Sequence, residues 1–149
     1  RDRLRSRGLG DVYKRQDGAC SNNSLDMFET MKLAAILAKG YSGDATAVPA
    51  MQALKMATEE GARIFRTPGL GTLVPGAPAD MIALNLDEPN LCPIFNETSH
   101  AVYASSGKDC VFTMVEGRIL YDHGIYTDGL YADTAAEMRD LVKWVKNCD

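Results

Sequence analysis

The spacing of the apolar residues changes sharply near Pro68. Before that point, apolar residues recur every three or four positions, which is the period of an amphipathic helix. After it, prolines and glycines crowd into PGLGTLVPGAPAD, and the following segments alternate as strands do. We therefore predict an α/β chain with two helices first, a small β unit of about four or five strands, and a helix at the end.

Each predicted element has its own local signals. The first helix is predicted from Asn23 or Ser24 to Lys39, and the second from Pro49, a favoured first helical position, to Gly61. DMIALNL is predicted to be a mostly buried strand, residues 109–126 a hairpin turning at EG, and TAAE a capping box that starts the last helix. The predicted inward faces are Leu25, Phe28, Met31, Ala35 and Ala38, then Met51, Leu54 and Ala57, and finally Met138, Leu141, Val142 and Val145 with Trp144 at the edge.

Charge divides the chain at a different place. Residues 1–16 contain six basic and two acidic residues, a net charge of +4, whereas residues 17–149 contain ten basic and eighteen acidic residues, a net charge of −8. Clustered basic residues can bind nucleic acid or a membrane surface. Such composition is more often a solvated tail, so we predict that residues 1–16 are disordered or foreign to the domain.

The rest of the composition excludes several classes of protein. No apolar run approaches the roughly 20 residues of a membrane span, and the first residues lack the apolar region of a secretory signal. We expect a cytoplasmic protein with no membrane partner, and the acidic bulk argues against a nucleic-acid partner. The four cysteines show no CxxC spacing, so we expect reduced thiols rather than a disulfide framework or a zinc knuckle.

The candidate catalytic residues lie just before the first helix, in DGACSNNS at residues 17–24. An acid followed by small polar residues and then a helix is typical of a strand end in an α/β barrel, where catalytic groups collect. An Asp before a Gly is also a common turn residue. Both interpretations of Asp17 stay open on spacing alone.

Four segments occur in a recognisable order: DGACSNNSLDMFETMKLAAIL, MATEEGAR, GTLVPGAPADMIALNLD and SHAVYASSGKDCVFTMVEGRILYDHG. In that order they resemble the C-terminal part of the metal-dependent amidohydrolases, and most of all the 5-methylthioadenosine/S-adenosylhomocysteine deaminases. The resemblance begins at Asp17 and implies the last helices of a (β/α)8 barrel at 17–67, part of a small β-sandwich at 68–131 and a C-terminal helix at 132–149. Its most family-wide pattern is Gly71-x-Leu73-x-Pro75-Gly76-x-x-Ala79-Asp80.

The resemblance also implies a site and a substrate. Asp17 would be a ligand of a divalent metal, most often zinc, and the acid that moves protons while a metal-activated water deaminates an adenine ring. The implied substrate is a small purine nucleoside, methylthioadenosine or S-adenosylhomocysteine. Ser21, Asn22 and Asn23 match the pattern after that acid, and they would either order it or cap the helix.

Three other polar residues are predicted to have no catalytic role, two of them because they are structural. Asp80 is expected to fix the turn before a strand rather than to catalyse. His100 belongs to a stretch that resembles the family's SHLVYA pattern, which is not one of the family's ligand positions. His123 is expected to face solvent in the turn after the hairpin.

The chain also departs from the family pattern. It contains no HxH pair, and one carboxylate cannot hold a zinc ion, which needs about three protein ligands. Lys14, Arg15 and Gln16 precede Asp17 where the family has an apolar strand. We therefore expect residues 1–149 alone to be inactive. Two alternatives remain, an amidohydrolase of guanine, cytosine or triazine rings and a non-catalytic interaction module, and a homo-oligomer is left open.

Overall fold

The computed structural model describes residues 23–64, 69–127 and 129–146. Its α/β class agrees with the prediction. Along the described part of the chain, three α-helices precede the first strand of a four-stranded antiparallel sheet, one lies between the first and second strands, and one follows the last strand. The helices are α1 Met27–Ser42, α2 Ala50–Ala57, α3 Glu59–Ile64, α4 Glu97–Tyr103 and α5 Leu130–Lys146, and the strands are β1 Met81–Leu84, β2 Cys110–Val115, β3 Arg118–Asp122 and β4 Ile125–Tyr126.

Helix α1 lies about one turn later than the sequence predicts. Its N-cap is Asp26, because Ser24 uses its hydroxyl to accept the Asp26 N–H instead of capping the helix. Its end is not at Gly40: the helix runs on to Ser42 and stops at Gly43, which has a φ of 68°. A glycine adopts that left-handed conformation without steric cost, so it ends helices readily.

The core lies where α1, α2 and α4 pack together. The prediction of an inward position is wrong for Leu25 and Met51, because these residues are 66% and 52% exposed. The sequence analysis did not predict α4, which lies between β1 and β2 along the chain and yet packs against the first two helices. The buried residues of this core are Phe28, Met31, Ala35, Val48, Ala53, Met56 and Val102.

The predicted second helix is broken into α2 and α3 at Thr58 rather than running unbroken to Gly61. Both the N–H and the hydroxyl of Thr58 donate to the carbonyl of Leu54, at 3.1 and 2.9 Å. Gly71 packs directly on this break: a Cβ atom built there would lie 2.6 Å from the carbonyl carbon of Thr58. The first glycine of the family-wide pattern therefore permits a close approach of two backbones.

The sheet has the order β1-β2-β3-β4, and the predicted hairpin is confirmed. Its turn residues Glu116 and Gly117 have φ of 49° and 76°, the combination that a tight hairpin turn favours. The prediction that DMIALNL is mostly buried is wrong, because Met81 and Ile82 are exposed. In the described sheet β1 is an edge strand that pairs with β2; its last residue, Leu84, packs against the helical core, whereas its first three residues are exposed.

Helix α5 begins at Leu130, so the capping box predicted at 134–137 is wrong and Thr134 lies inside the helix. In the described part of the chain, α5 makes no extensive contact with another helix or strand. Its predicted apolar stripe is accordingly about half exposed. None of the helices within 23–64, 69–127 and 129–146 combines the length and the apolar composition that crossing a bilayer would require.

Candidate functional site

The N-terminus of α1 is fixed by hydrogen bonds that meet at Asp26. Oδ1 of Asp26 accepts the Phe28 N–H at 2.9 Å and caps the helix. Oδ2 accepts the Gly107 N–H at 2.8 Å, across 81 positions of sequence. The N–H of Asp26 donates to Ser24 Oγ at 3.2 Å. One carboxylate therefore joins the start of α1 to the turn that leads into β2.

Three of the residues predicted to form the site, Asp17, Ser21 and Asn22, lie outside the described residues. Asn23 is the first residue that the structure describes, and it is exposed. The cap of α1 is Asp26, three positions later. An Asp directly before an apolar run is a cap signal that the sequence offers, whereas the bond from its second oxygen to Gly107 has no local signal.

Asp80, at the end of the family-wide pattern, has a structural role as predicted, but at a different turn from the predicted one. Its Oδ1 accepts the N–H of Glu116 at 2.6 Å, and the neighbouring Ala79 carbonyl accepts the N–H of Gly117 at 3.1 Å. The turn that Asp80 fixes is the one between β2 and β3, not its own. This carboxylate holds β1 in place beside the hairpin.

The contacts of the two histidines also indicate no catalytic role. His100 Nδ1 lies 2.9 Å from the carbonyl oxygen of Asn96, and its Nε2 lies 3.1 Å from that of Pro93. Both ring nitrogens therefore face backbone carbonyls, so His100 ties α4 to the loop before it. His123 is exposed as predicted, with Nδ1 2.5 Å from Oδ1 of Asp122.

The sequence analysis missed Lys39 as a structural centre of the helical unit. Its ammonium group donates to the carbonyls of Ala47 and Val48, at 2.7 and 2.8 Å, and to the Tyr103 hydroxyl at 3.0 Å. A lysine in the last turn of a helix interacts favourably with the helix dipole. That interaction is the only role that the sequence position of Lys39 indicates. The contact with α4 depends on the tertiary fold.

At the far end of α1 from Asp26, a carboxyl group has a lowered pKa. The Thr46 hydroxyl donates to Oδ1 of Asp44 at 2.7 Å, and the Thr46 N–H donates to the same atom at 2.8 Å. These two bonds favour the charged form, so they lower the pKa of Asp44 below its ordinary value. Asp44 stabilises the loop between α1 and α2.

A cavity of 580 Å³ is lined in part by Gly107 and by residues of β2 and β3. Lys108, Cys110, Thr113 and Tyr121 line part of its wall. The described residues around it include no carboxylate and no imidazole. The cavity therefore offers no acid and base pair and differs in chemistry from the predicted site.

The described residues do not fit a metal site by themselves. Within 23–64, 69–127 and 129–146, no three His, Cys, Asp or Glu side chains form a group that could hold a metal ion. A catalytic zinc needs about three protein ligands. No reaction step through a metal follows from this part of the chain.

The comparisons with known proteins can now be set beside this geometry. The model of the amidohydrolase family matches residues 13–120. The chain belongs to the amidohydrolase family. The resemblance seen in the sequence motifs is thereby confirmed at the level of the family.

Two curated relatives carry deaminase names. The 5-methylthioadenosine/S-adenosylhomocysteine deaminase of Nitratidesulfovibrio vulgaris strain Miyazaki F is 48% identical over 129 residues, which are 87% of this chain and 29% of that protein. The 5'-deoxyadenosine deaminase of Methanosarcina acetivorans is 46% identical over 126 residues, covering 78% of this chain and 29% of that amidohydrolase relative. The chain therefore spans less than a third of the length of these relatives.

A solved structure agrees with the fold of this amidohydrolase chain. The adenosine deaminase from Xanthomonas campestris with bound zinc superposes with a TM-score of 0.84 at 30% sequence identity. The superposition covers 88% of this chain and 30% of that one. Nearly all of the chain thus has a counterpart in a solved amidohydrolase fold.

Proposed function

We propose that this chain is part of a hydrolytic deaminase that acts on the adenine ring of a small nucleoside. The observation that carries the proposal is the 48% identity over 129 residues to a 5-methylthioadenosine/S-adenosylhomocysteine deaminase. The solved structure that superposes on 88% of the chain is also named an adenosine deaminase. We propose methylthioadenosine and S-adenosylhomocysteine as the substrates, since the relative is named for both.

The two apolar faces of α1 support the proposal that a barrel continues beyond this chain. One face packs into the core through Phe28 and Met31, while Leu33, Ile36 and Leu37 on another face are 50%, 48% and 66% exposed. A contiguous apolar patch that is left exposed on a helix usually marks a packing or interaction surface. We propose that this second face of α1 packs on barrel strands that are not in this chain, and that the sheet is part of a β-sandwich.

Asp17 is the residue that we propose for proton transfer. In a hydrolytic deamination, the oxygen of water adds to the ring carbon that carries the amino group, and the amino group leaves as ammonia. Asp17 would accept a proton from the attacking water and pass a proton to the departing nitrogen. Ser21, Asn22 and Asn23 would hold its carboxylate in place. The ring amine is thereby replaced by a carbonyl.

Asp17 is also the single metal ligand that we propose for this chain. A bound zinc would supply an activated water in the complete enzyme, and the relative with bound zinc supports that choice of metal. The described residues offer no metal site of their own, and the chain contains no HxH pair, so we propose that the further ligands come from another part of the enzyme. We therefore propose that residues 1–149 are inactive alone.

A second candidate substrate is 5'-deoxyadenosine, the compound named in the Methanosarcina relative at 46% identity. It shares the adenine ring with the first candidates and differs at the 5' position. Amidohydrolases of guanine, cytosine or triazine rings, whether deaminases or chlorohydrolases, and a non-catalytic interaction module are the remaining alternatives. A panel of these ring compounds compares the catalytic alternatives in one assay.

The test is a joined protein, in which the matched segment of the Nitratidesulfovibrio vulgaris relative is replaced by residues 17–149 of this chain. We expect it to release ammonia from methylthioadenosine, and we expect Asp17→Asn to lower kcat by about 100-fold or more. The matched control is Asp140→Asn, because Asp140 is an exposed partner of Lys143 on α5. A folded joined protein that deaminates no ring compound, or that tolerates Asp17→Asn, would contradict the proposal.

A further inference from the structure

One wall of the 580 Å³ cavity is a row of side chains on a single face of the sheet. Tyr121 of β3 is paired with Thr113 of β2 on one side and with Tyr126 of β4 on the other. Residues paired directly across neighbouring strands present their side chains on the same face. The rings of Tyr121 and Tyr126 have centroids 5.0 Å apart and are tilted by 54°, and Tyr126 is 48% exposed. This wall therefore presents aromatic surface on which a further ring can pack.

Another part of the wall is the 3-10 turn at Gly107–Asp109, which hydrogen bonds hold in place. Oδ2 of Asp109 accepts the Ser106 N–H at 2.7 Å and closes the turn. The carbonyl of Asp109 accepts the N–H of Asn85, just after β1, at 2.8 Å. Lys108 therefore stands on a turn that is tied to the sheet. A ligand that meets walls already in place has less conformational freedom to remove on binding.

The charge of the cavity is opposite to that of the chain around it. Residues 17–149 have a net charge of −8, yet the described lining contains the ammonium group of Lys108 and no carboxylate. Two acids that neighbour lining residues in sequence are used elsewhere. Asp109 is buried inside its own turn, and Asp122 points to the other face of the sheet by alternation and pairs with His123. Lys108 takes part in none of the ion pairs in the described part of the chain, so the cavity favours an anion.

Cys110 and Thr113 also line the cavity, and their polar groups contact other protein atoms. The Cys110 thiol donates to the carbonyl of Phe112 at 3.3 Å, and its sulfur lies 3.6 Å from the Thr113 hydroxyl. A free cysteine in such a setting behaves as a small apolar side chain, and Leu120 adds further apolar surface. Most of the wall thus suits an apolar ring, while the ammonium group of Lys108 suits one negative charge.

We propose that this cavity binds a small planar aromatic anion, with its ring against Tyr121 and Tyr126 and its negative group beside the ammonium of Lys108. The volume of 580 Å³ lies within the range of ligand pockets, about 300 to 1,000 Å³. Aromatic rings attract one another in tilted and offset arrangements, and an ammonium group favours a charged acceptor over a neutral one. None of the described lining residues takes part in the proposed deamination, so the binding can be measured without that reaction.

Indoleacetate is the probe, because it combines a planar ring with one carboxylate. We expect it to bind the 149-residue chain with a Kd of about 1 mM or lower and to shift the amide NMR signals of residues 107–113 and 119–126. Indoleacetamide has the ring without the charge, and cyclohexylacetate has the charge without an aromatic ring, so each should bind at least about threefold more weakly. Equal binding of all three compounds, or no shift of those signals at about 10 mM indoleacetate, would overturn the proposal.

Two substitutions separate the contributions of the charge and the ring. Lys108→Gln should weaken indoleacetate binding by about three- to fivefold and leave indoleacetamide binding unchanged. Tyr126→Leu should weaken the binding of both ring compounds by about three- to tenfold and change that of cyclohexylacetate little. The matched controls are Lys55→Gln, at an exposed position of α2, and Tyr41→Leu, at a residue that is 94% exposed in the last turn of α1. Losses of the same size in the controls would place the probe elsewhere on the surface and contradict the proposal.

The same titration in the joined protein tests whether the cavity stays open in a complete enzyme. We expect indoleacetate to bind the joined protein with a Kd similar to that of the 149-residue chain. If a folded joined protein does not bind it, another part of the enzyme fills the cavity and the proposal is wrong. If the 149-residue chain does not fold by itself, the joined protein decides the outcome. A joined protein that binds indoleacetate but deaminates no ring compound would refute the deaminase function and leave the cavity proposal standing.

Discussion

The ammonium nitrogen of Lys39 lies 3.0 Å from the hydroxyl oxygen of Tyr103, a residue 64 positions later in the chain. The same nitrogen donates to the carbonyls of Ala47 and Val48 and lies 5.6 Å from the centre of the Tyr103 ring. Ala47 and Val48 are buried, and Val48 has a positive φ of 46°. Lys39 therefore joins α1, the loop before α2 and α4 at one point.

Replacing this lysine should destabilise the helical unit. Lys39→Met keeps the apolar stem but leaves the buried carbonyls of Ala47 and Val48 without their donor, so we expect a loss of about 2 to 3 kcal/mol. Native-state hydrogen exchange of the α1 amides measures it. Lys55→Met is the matched control, since Lys55 is exposed in α2. Equal losses in the two variants would mean that the hydrogen bonds of Lys39 contribute nothing.

The apolar periodicity predicted that α1 and α2 exist, but it misplaced the bounds of α1 by about one turn and chose the wrong inner face at some positions. Met51 was predicted inward and is exposed, whereas Ala53 and Met56 are buried. Both helices carry apolar residues on more than one face, and a period alone does not say which face packs on which neighbour. Helix α4 is only seven residues long, too short for a period to be visible, although Asn96 at its start is a favoured cap.

The two glycines of the family-wide pattern should respond differently to alanine. Both have positive φ, 82° at Gly71 and 87° at Gly76, which costs an alanine about 1 to 2 kcal/mol. At Gly71 the Cβ would also lie 2.6 to 2.8 Å from the backbone of Thr58 and Glu59, whereas at Gly76 nothing lies within 4 Å.

Gly71→Ala should therefore cost at least about 2 kcal/mol more than Gly76→Ala, because two backbones must move apart. Exchange rates of the α2 and α3 amides provide the measurement. Similar costs at both positions would show that the strained φ, and not the approach to Thr58, is why glycine is needed at residue 71.

Removing the carboxylate of Asp80 should loosen the hairpin. Asp80→Ala leaves the Glu116 N–H without its acceptor at 2.6 Å, so we expect the amides of the β2–β3 turn to lose about 1 to 2 kcal/mol of protection. Asp87→Ala, at an exposed acid after β1, is the control and should change little. Unchanged protection at Glu116 and Gly117 in Asp80→Ala would contradict this structural role.

Local chemistry explains why a structural role was predictable for Asp80, and why only the cap was predictable for Asp26. Asp80 follows a Pro- and Gly-rich turn and precedes a strand, which indicates a structural acid, but its bond to Glu116 crosses 36 positions and fixes a different turn. The cap at Asp26 has a local signal too, but its bond to Gly107 crosses 81 positions. Such a contact depends on how α1 and the sheet pack, and no local pattern encodes that.

The loop between α1 and α2 carries a pH-dependent contribution to stability. Hydrogen bonds from Thr46 lower the pKa of Asp44, so the stabilisation is present above the ordinary carboxyl pKa and is lost as the pH falls through the lowered one. Thr46→Val removes the hydroxyl donor and keeps the N–H. We expect the pKa of Asp44, followed by NMR titration, to rise part of the way towards its ordinary value, and no rise would refute the role of the hydroxyl.

A substitution on the second apolar face of α1 should improve the behaviour of this chain and destabilise the joined protein. Leu37 is 66% exposed in this chain, where Leu37→Gln should raise the monomeric fraction measured by light scattering, since it removes an exposed apolar side chain. In the joined protein the same change should lower stability by about 2 to 3 kcal/mol, because a buried leucine is lost. Lys32→Gln, on an exposed polar position of α1, should do neither. If Leu37→Gln leaves the thermal midpoint of the joined protein unchanged, this face does not pack against a barrel.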